Sequence, residues 1–387
     1  MSRSKYVSVG NTGGLILDGK YDDFATNAKL EELKVEIESL RSELTRPNNG
    51  SRNVKKPTTQ LYVEQLLTDY APSYGVKSYH QGNYYVISHG FLERTEDNWA
   101  TKSRGTKVVG TEAGNVTKAV VWADGTVCGL TTSGNVVRMD DFNSEPQITL
   151  ETETSFTNSY GSSFYSDGLN NYVLAGQYAT GVEPKNLYLS KDGGNTFEII
   201  KTTGGLGTTN NHWHAAEFDP YSGAIWASEG DGPNSAVWVT YDLGETWQLV
   251  TKEIQPTLII PLPDRVLFGR DGGASPGFDC WERGEQRFEH PTTYPITVCM
   301  EFRTDLSPFS YVPTNDQIVV VDNNTVYVGY YKTDEGISYI FATGDGGESW
   351  HLVSTSDIQL LGATSTHLMC ATYNPNRLVL LPLLKWV

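Results

Sequence analysis

Thr240-Tyr-Asp242-Leu-Gly244-Glu-Thr246-Trp247 reads as hydroxyl, any residue, aspartate, any, glycine, any, hydroxyl, aromatic. The same eight-residue phrase returns as Ser190-Lys-Asp192-Gly-Gly194-Asn-Thr196-Phe197 and as Thr343-Gly-Asp345-Gly-Gly347-Glu-Ser349-Trp350. Each copy lies between two runs rich in β-branched, aliphatic and aromatic residues, which predicts a hairpin with a fixed turn. The aspartate can accept hydrogen bonds from the amides of its own turn, and the glycine can take the positive φ that the turn requires. The aromatic residue opens the return strand, where it can pack on its neighbours.

These phrases resemble the Asp box, the bacterial-neuraminidase repeat of sialidases, several other glycosidases and many non-catalytic β-propellers. The resemblance covers the repeat unit and implies a structural turn at the blade periphery, away from the ligand site. Three decayed copies accompany the clear ones: Thr95-Glu-Asp97-Asn-Trp99, Met139-Asp-Asp141-Phe142 and Glu282-Arg-Gly284-Glu-Gln-Arg-Phe288. The acids at 97, 141, 192, 242, 282 and 345 are spaced 40 to 63 residues apart, close to the length of a four-stranded blade. The expected fold is therefore all-β, a propeller of about six four-stranded blades with five or seven as alternatives. Apolar strands at Thr366–Thr372 and Leu378–Val387, which carry no box, are expected to close the ring on the blade begun near residue 75 and so remove exposed edges.

Ahead of the propeller (74–387) the chain changes character. Residues 1–28 predict one or two short strands around glycine turns, a docking segment too small to bury a core. Within 29–46, Leu30, Leu33, Ile37, Leu40 and Leu44 are spaced as the a and d positions of a heptad, which predicts a short coiled-coil helix. A seam of about two and a half heptads is weak unassisted, so oligomerisation would draw on other parts of the chain. Residues 47–73 read as a polar linker followed by a short helix between Gln60 and Tyr70.

The 387 residues carry a net charge of −17, yet residues 1–56 hold ten Lys/Arg against eight Asp/Glu. The propeller is thus the acidic part, which argues against nucleic acid as its ligand. No apolar stretch reaches the length of a membrane span, and the N-terminus lacks a signal-peptide run. Cys128, Cys280, Cys299 and Cys370 show no zinc or redox spacing and are expected to be buried free thiols.

Chemistry is harder to place. Sialidases carry an arginine triad that begins at an early Arg-Ile-Pro motif, which this sequence lacks. Arg138, Arg265, Arg270 and Arg303 match no family motif, so no catalytic residue is assigned. Asp219, Glu229, Asp231, Asp264 and Asp271 lie near turns, and glycoside hydrolysis would need two of them face to face. His212 and His214 share one face of a strand and are the candidate ligand-binding residues. Without a third ligand at suitable spacing, no metal and no cofactor are expected. Tyr79, Tyr84, Tyr85, Tyr160, Tyr165 and Tyr172 are candidate sugar-stacking residues.

Residues 210–250 resemble a blade phrase of Asp-box propellers that occur in bacteriophage virion proteins and in bacterial proteins of undefined role. That resemblance, together with the docking segment and coil, implies a phage tail fibre, tip or baseplate protein made in the host cytoplasm and located in the virion. Its expected partners are other tail proteins, its own copies (a trimer by preference) and a host-surface glycan bound with avidity. A propeller glycosidase and an intracellular bacterial scaffold are the alternatives.

Overall fold

The structure, a computed structural model, describes residues 72–387 apart from 153–155, 157–161, 205–211, 272–276, 284–293, 302–317, 333–336, 373–376 and a few isolated positions; before them it describes only 55–58, 61 and three short strands. The heptad from Leu30 to Leu44 lies outside the described residues, as do Tyr160 and Arg303. Strands β1 (Ser8–Val9) and β2 (Leu15–Ile16) pair antiparallel in the N-terminal segment. Between Gln60 and Tyr70, where a helix is expected from the sequence, residues Gln65–Leu67 form strand β3 instead. The reason is tertiary: β3 hydrogen-bonds along an open sheet edge, Gln65 opposite Leu380 and Leu67 opposite Leu378.

Seven four-stranded antiparallel blades follow, the first two joined into one eight-stranded sheet where their innermost strands pair in parallel, Val76 opposite Ala119 and Ser78 opposite Val121. Blade 1 comprises β4 (Pro72–Ser78), β5 (Tyr84–Ser88), β6 (Phe91–Thr95) and β7 (Ser103–Lys107). Blade 2 comprises β8 (Val116–Val121), β9 (Val127–Thr131), β10 (Asn135–Met139) and β11 (Gln147–Glu151). Blade 3 runs through β12 (Ser162–Ser166), β13 (Asn171–Gly176), β14 (Asn186–Ser190) and β15 (Glu198–Thr202). Blade 4 contains β16 (Trp213–Phe218), β17 (Ile225–Glu229), β18 (Ala236–Thr240) and β19 (Gln248–Thr251). Blade 5 contains β20 (Pro256–Pro261), β21 (Arg265–Arg270), β22 (Gly277–Glu282) and β23 (Ile296–Glu301). Blade 6 is β24 (Ile318–Val320), β25 (Val326–Lys332), β26 (Ile337–Thr343) and β27 (His351–Ser356). Blade 7 has β28 (Ile358–Ala363), β29 (His367–Thr372) and β30 (Leu378–Pro382), with β3 as its outermost strand.

That last exchange explains why six turns serve seven blades. The repeat phrase joins the third strand of a blade to the fourth. In blade 7 the fourth strand arrives from the other end of the chain, so no turn exists to carry the phrase. Closure is as expected in kind, but the C-terminal strands complete a seventh blade rather than the one begun near residue 75. Lys56 and Val387 exchange backbone hydrogen bonds beside this closure, and Pro57 bridges Trp386.

The core is a ring rather than a centre. Seven buried apolar clusters lie one at each blade–blade interface, from Val76–Met139 between blades 1 and 2 round to Val86, Trp99, Met369 and Leu380 between blades 7 and 1. Each blade buries both faces, and its inner two strands are accordingly near-continuous apolar runs such as Val127–Thr131. Cys128 and Cys370 are free thiols within these layers, and burial pushes the Cys128 thiol up to about 12. Cys280 is disulfide-bonded, contrary to the expectation of free thiols throughout. Linear spacing does not show which thiols meet across a sheet.

Candidate functional site

In an up-and-down blade the first-to-second and third-to-fourth turns share one face of the disc. The second-to-third turns and the connections between blades share the other. The repeat turns therefore occupy one face, here called the turn face. At Thr240–Trp247 the Thr240 hydroxyl donates to Asp242 Oδ1 (2.7 Å) and accepts from Gly244 N (3.0 Å), while Asp242 accepts from Thr246 N (2.9 Å) and the Thr246 hydroxyl (2.5 Å). These bonds hold the Asp242 carboxyl at about 2. Ser190–Phe197 and Thr343–Trp350 repeat the same bonds. Gly244 takes φ +101° with its α-carbon against Ile200 of the preceding blade, so a β-carbon would collide.

Thr95–Thr101 proves less decayed than its sequence indicates. Asp97 accepts from Thr101 N and Thr101 Oγ1 (2.9 and 2.8 Å), and Trp99 N donates to Thr95 Oγ1 (3.0 Å). Trp99 thus stands in the glycine position, with φ +69°. Its ring fills the seam with blade 7, where its Nε1 reaches the sulfur of Met369 (3.3 Å). Asp141 accepts from the amides of Asn143 and Ser144. In the third decayed copy, residues from Gly284 onward lie outside the described set. Arg283, before them, lies 2.6 Å from Asp219, both side chains fully buried, and joins blade 5 to blade 4.

The central channel encloses about 610 Å³ and is bordered by inner strands of all seven blades. Lys77 Nζ donates to the Phe164 carbonyl and Lys118 Nζ to that of Ser162, both at 2.6 Å. Tyr79 and Tyr165 also line it. Its one lining carboxylate among the described residues is Glu217. Burial pushes that carboxyl up to about 7, against the pull of Lys77 and Lys118.

On the face opposite the turns, the chain gathers a second cluster. His212 directly precedes β16, and His214 sits at a β-bulge where Trp213 pairs Glu229 and Ala215 pairs Ser228. A bulge re-aims the side chain it carries. The two imidazoles stack at 4.6 Å with Nε2 atoms 2.6 Å apart. Asp231, two residues beyond β17, puts Oδ1 3.0 Å from His214 Nε2 and Oδ2 3.7 Å from His212 Nε2. Gln255, just before β20, donates to Asp231 Oδ1 (2.8 Å) and to Asp271 Oδ2 (2.5 Å). The Tyr178 ring covers His212 at 4.2 Å. Burial and His214 together hold the His212 imidazole down at about 4, while Asp231 pulls the other way.

The other candidates are dispersed. Arg138 pairs with Asp140, Arg265 with Glu348, and Arg270 with Asp279. No arginine triad forms among the described residues. Asp264 lies beside Arg265 at 3.5 Å, and Glu229 accepts from Trp238 Nε1 at 2.7 Å. Tyr85 is buried in the interface of blades 1 and 2, Tyr172 packs on Phe218 between blades 3 and 4, and Tyr84 borders the channel. Sequence reasoning missed Asp231 as a partner of the histidines, and missed Glu217, Lys77 and Lys118 as channel residues. The available signal for Asp231 was His-x-His opening an inner strand with an acid just past the next one.

No family model and no curated protein matches the chain. Among solved structures, YCF48 from Cyanidioschyzon merolae aligns with TM-score 0.53 and 12% identity over 84% of this chain and 98% of that one. YCF48 bound to D1 peptide aligns at 0.51 and 12% over 85% and 97%. The GH74 xyloglucanase from Xanthomonas campestris aligns at 0.50 and 13% over 81% of this chain and 52% of that one. These likenesses establish a β-propeller. Among the described residues no helix is long and apolar enough to cross a membrane.

Proposed function

We propose that this chain is a binding protein, not a hydrolase, and that its propeller is the receptor-binding head of a bacteriophage tail fibre, tip or baseplate. The observation that carries the binding reading is the channel. Among the described residues its single lining carboxylate, Glu217, sits with Lys77 and Lys118 beside hydroxyl-bearing aromatics. Glycoside hydrolysis needs two carboxyls across the scissile bond, whereas tyrosine faces and mixed charge suit recognition of a glycan bearing both hydroxyl and charged groups. Copies joined through Leu30, Leu33, Ile37, Leu40 and Leu44 would turn weak single sites into avid attachment to a host envelope.

The test has two arms. Purified virions of a candidate phage are probed with an antibody to this chain, and its absence from particles refutes the tail assignment. The full chain is then titrated with host cell-wall and capsular polysaccharide; binding weakened by Lys118→Ala supports the channel as the site. A second reading, a propeller glycosidase, draws on the fold shared with the xyloglucanase. Reducing ends released from those polysaccharides and abolished by Glu217→Gln would favour it. Replacing Leu33 and Leu40 by Asp is expected to lower the solution mass to that of one chain.

A further inference from the structure

We propose that His212, His214 and Asp231 form a divalent-cation site of the zinc class on the face opposite the repeat turns. The geometry carries it. The three donor atoms converge within 4.8 Å of one another. A four-coordinate zinc with bonds of about 2.0–2.1 Å sets neighbouring donors about 3.3 Å apart. Here the two Nε2 atoms lie 2.6 Å apart, and Asp231 sets Oδ1 3.0 Å from His214 Nε2 and Oδ2 3.7 Å from His212 Nε2, distances that straddle that value.

Hydrogen bonding alone serves this triangle poorly. Each Nε2 holds at most one proton, and the carboxylate only accepts. A proton on His214 Nε2 can serve His212 or Asp231, not both. Protons on both Nε2 atoms would face each other at 2.6 Å. A cation at the centre satisfies all three donors at once.

The surroundings support the carboxylate arm of the site. Gln255 fixes the Asp231 carboxylate and ties it to Asp271, which adds a second negative charge nearby. Such outer partners orient ligands and are worth roughly 10–100-fold in metal affinity. The Tyr178 ring holds the His212 plane, and the bulge turns His214 towards its partner. Asp231 keeps a third of its side chain open to solvent, so ions can enter. Three protein donors leave a fourth position for water or for an oxygen of a bound molecule.

The inference stands on these residues and is independent of the tail assignment. The test uses the full chain without a histidine tag, stripped with chelator and titrated with zinc chloride by calorimetry, with bound zinc counted by mass spectrometry. The expected result is one zinc per chain in the wild type. His214→Gln and Asp231→Asn should each lose stoichiometric binding while circular dichroism stays unchanged, and Gln255→Leu should weaken it about 10–100-fold. Asp242→Asn, on the turn face, should bind as the wild type does. Folded wild-type protein that takes up no zinc overturns the proposal, as does uptake that survives both ligand substitutions. Should His214→Gln fail to fold, the variant at the partly exposed acid, Asp231→Asn, decides.

Discussion

The two faces of this propeller follow different rules. On the turn face one local solution recurs: hydroxyl, aspartate and a positive-φ residue close a hairpin and press it against the preceding blade. On the opposite face His212, His214 and Asp231 meet once, across a bulge and two strands. The first is built from eight consecutive residues, and the second from segments that only the blade brings together. Repetition therefore marks scaffolding here, and the exception to it marks the candidate chemistry.

The largest expected effect lies at a buried ion pair on the turn face. Arg283, directly after the third strand of blade 5, pairs with Asp219 of blade 4, both side chains fully buried. Asp219 also accepts from the Ser222 hydroxyl (2.6 Å) and Trp226 Nε1 (3.2 Å). Asp219→Ala leaves a guanidinium buried without its carboxylate, and should cost about 3–5 kcal/mol in urea denaturation. Replacing both partners by apolar residues should recover much of that loss. A double variant no more stable than the single one would mean that the carboxylate acts through its turn bonds alone.

Trp99 tests how far the repeated turn tolerates departure. A residue other than glycine at φ +69° costs roughly 1–2 kcal/mol, yet the ring fills the closure seam. Trp99→Gly relieves the first and forfeits the second, a packing loss of about 3–5 kcal/mol. The net expectation is a destabilisation of about 2 kcal/mol by thermal or chemical unfolding. A more stable variant would show that the seam closes without the ring. Asp242→Ala, which removes the acceptor of two bonds from Thr246, should cost less, about 1–2 kcal/mol.

How much of this was legible follows from the same contrast. Thr240–Trp247 announced its hairpin because every group it needs lies within eight residues. Trp99 misled, since as a letter it resembles the closing aromatic of the phrase while in space it occupies the glycine's place. The seventh blade was hidden because its fourth strand, Gln65–Leu67, is borrowed from before the ring, and three residues carry no period. Local pattern favoured a helix there; pairing with Leu378–Leu380 decided otherwise. His212 and His214 were visible as a pair, but Asp231 could join them only once β16 and β17 were known to run antiparallel with their ends together.

Acidity separates the turn face from the channel with opposite signs. Asp242 has its carboxyl held at about 2, below its ordinary 3.8, by bonds from Thr240 and Thr246. Its contribution is present above pH 3.8 and is lost as pH falls towards 2. Glu217 is the reverse case, pushed by burial from its ordinary 4.5 up to about 7. The folded state then holds a proton that the unfolded chain releases, so its contribution is complete below pH 4.5 and disappears as pH rises to 7. Lys77, Lys118, the Ser163 hydroxyl and the Phe218 backbone face the carboxyl and favour its charged form, which limits the size of the effect. Denaturation midpoints measured at half-unit steps from pH 4 to 8 should therefore decline for the wild type and stay flatter for Glu217→Gln, while Asp242→Asn should lie below the wild type by a constant offset across that range and converge on it only as pH falls from 3.8 towards 2. Parallel curves for wild type and Glu217→Gln would place the Glu217 proton equilibrium outside the folding reaction and leave the channel carboxylate charged at neutral pH, as ready to meet a cationic ligand group as Lys118 is to meet an anionic one.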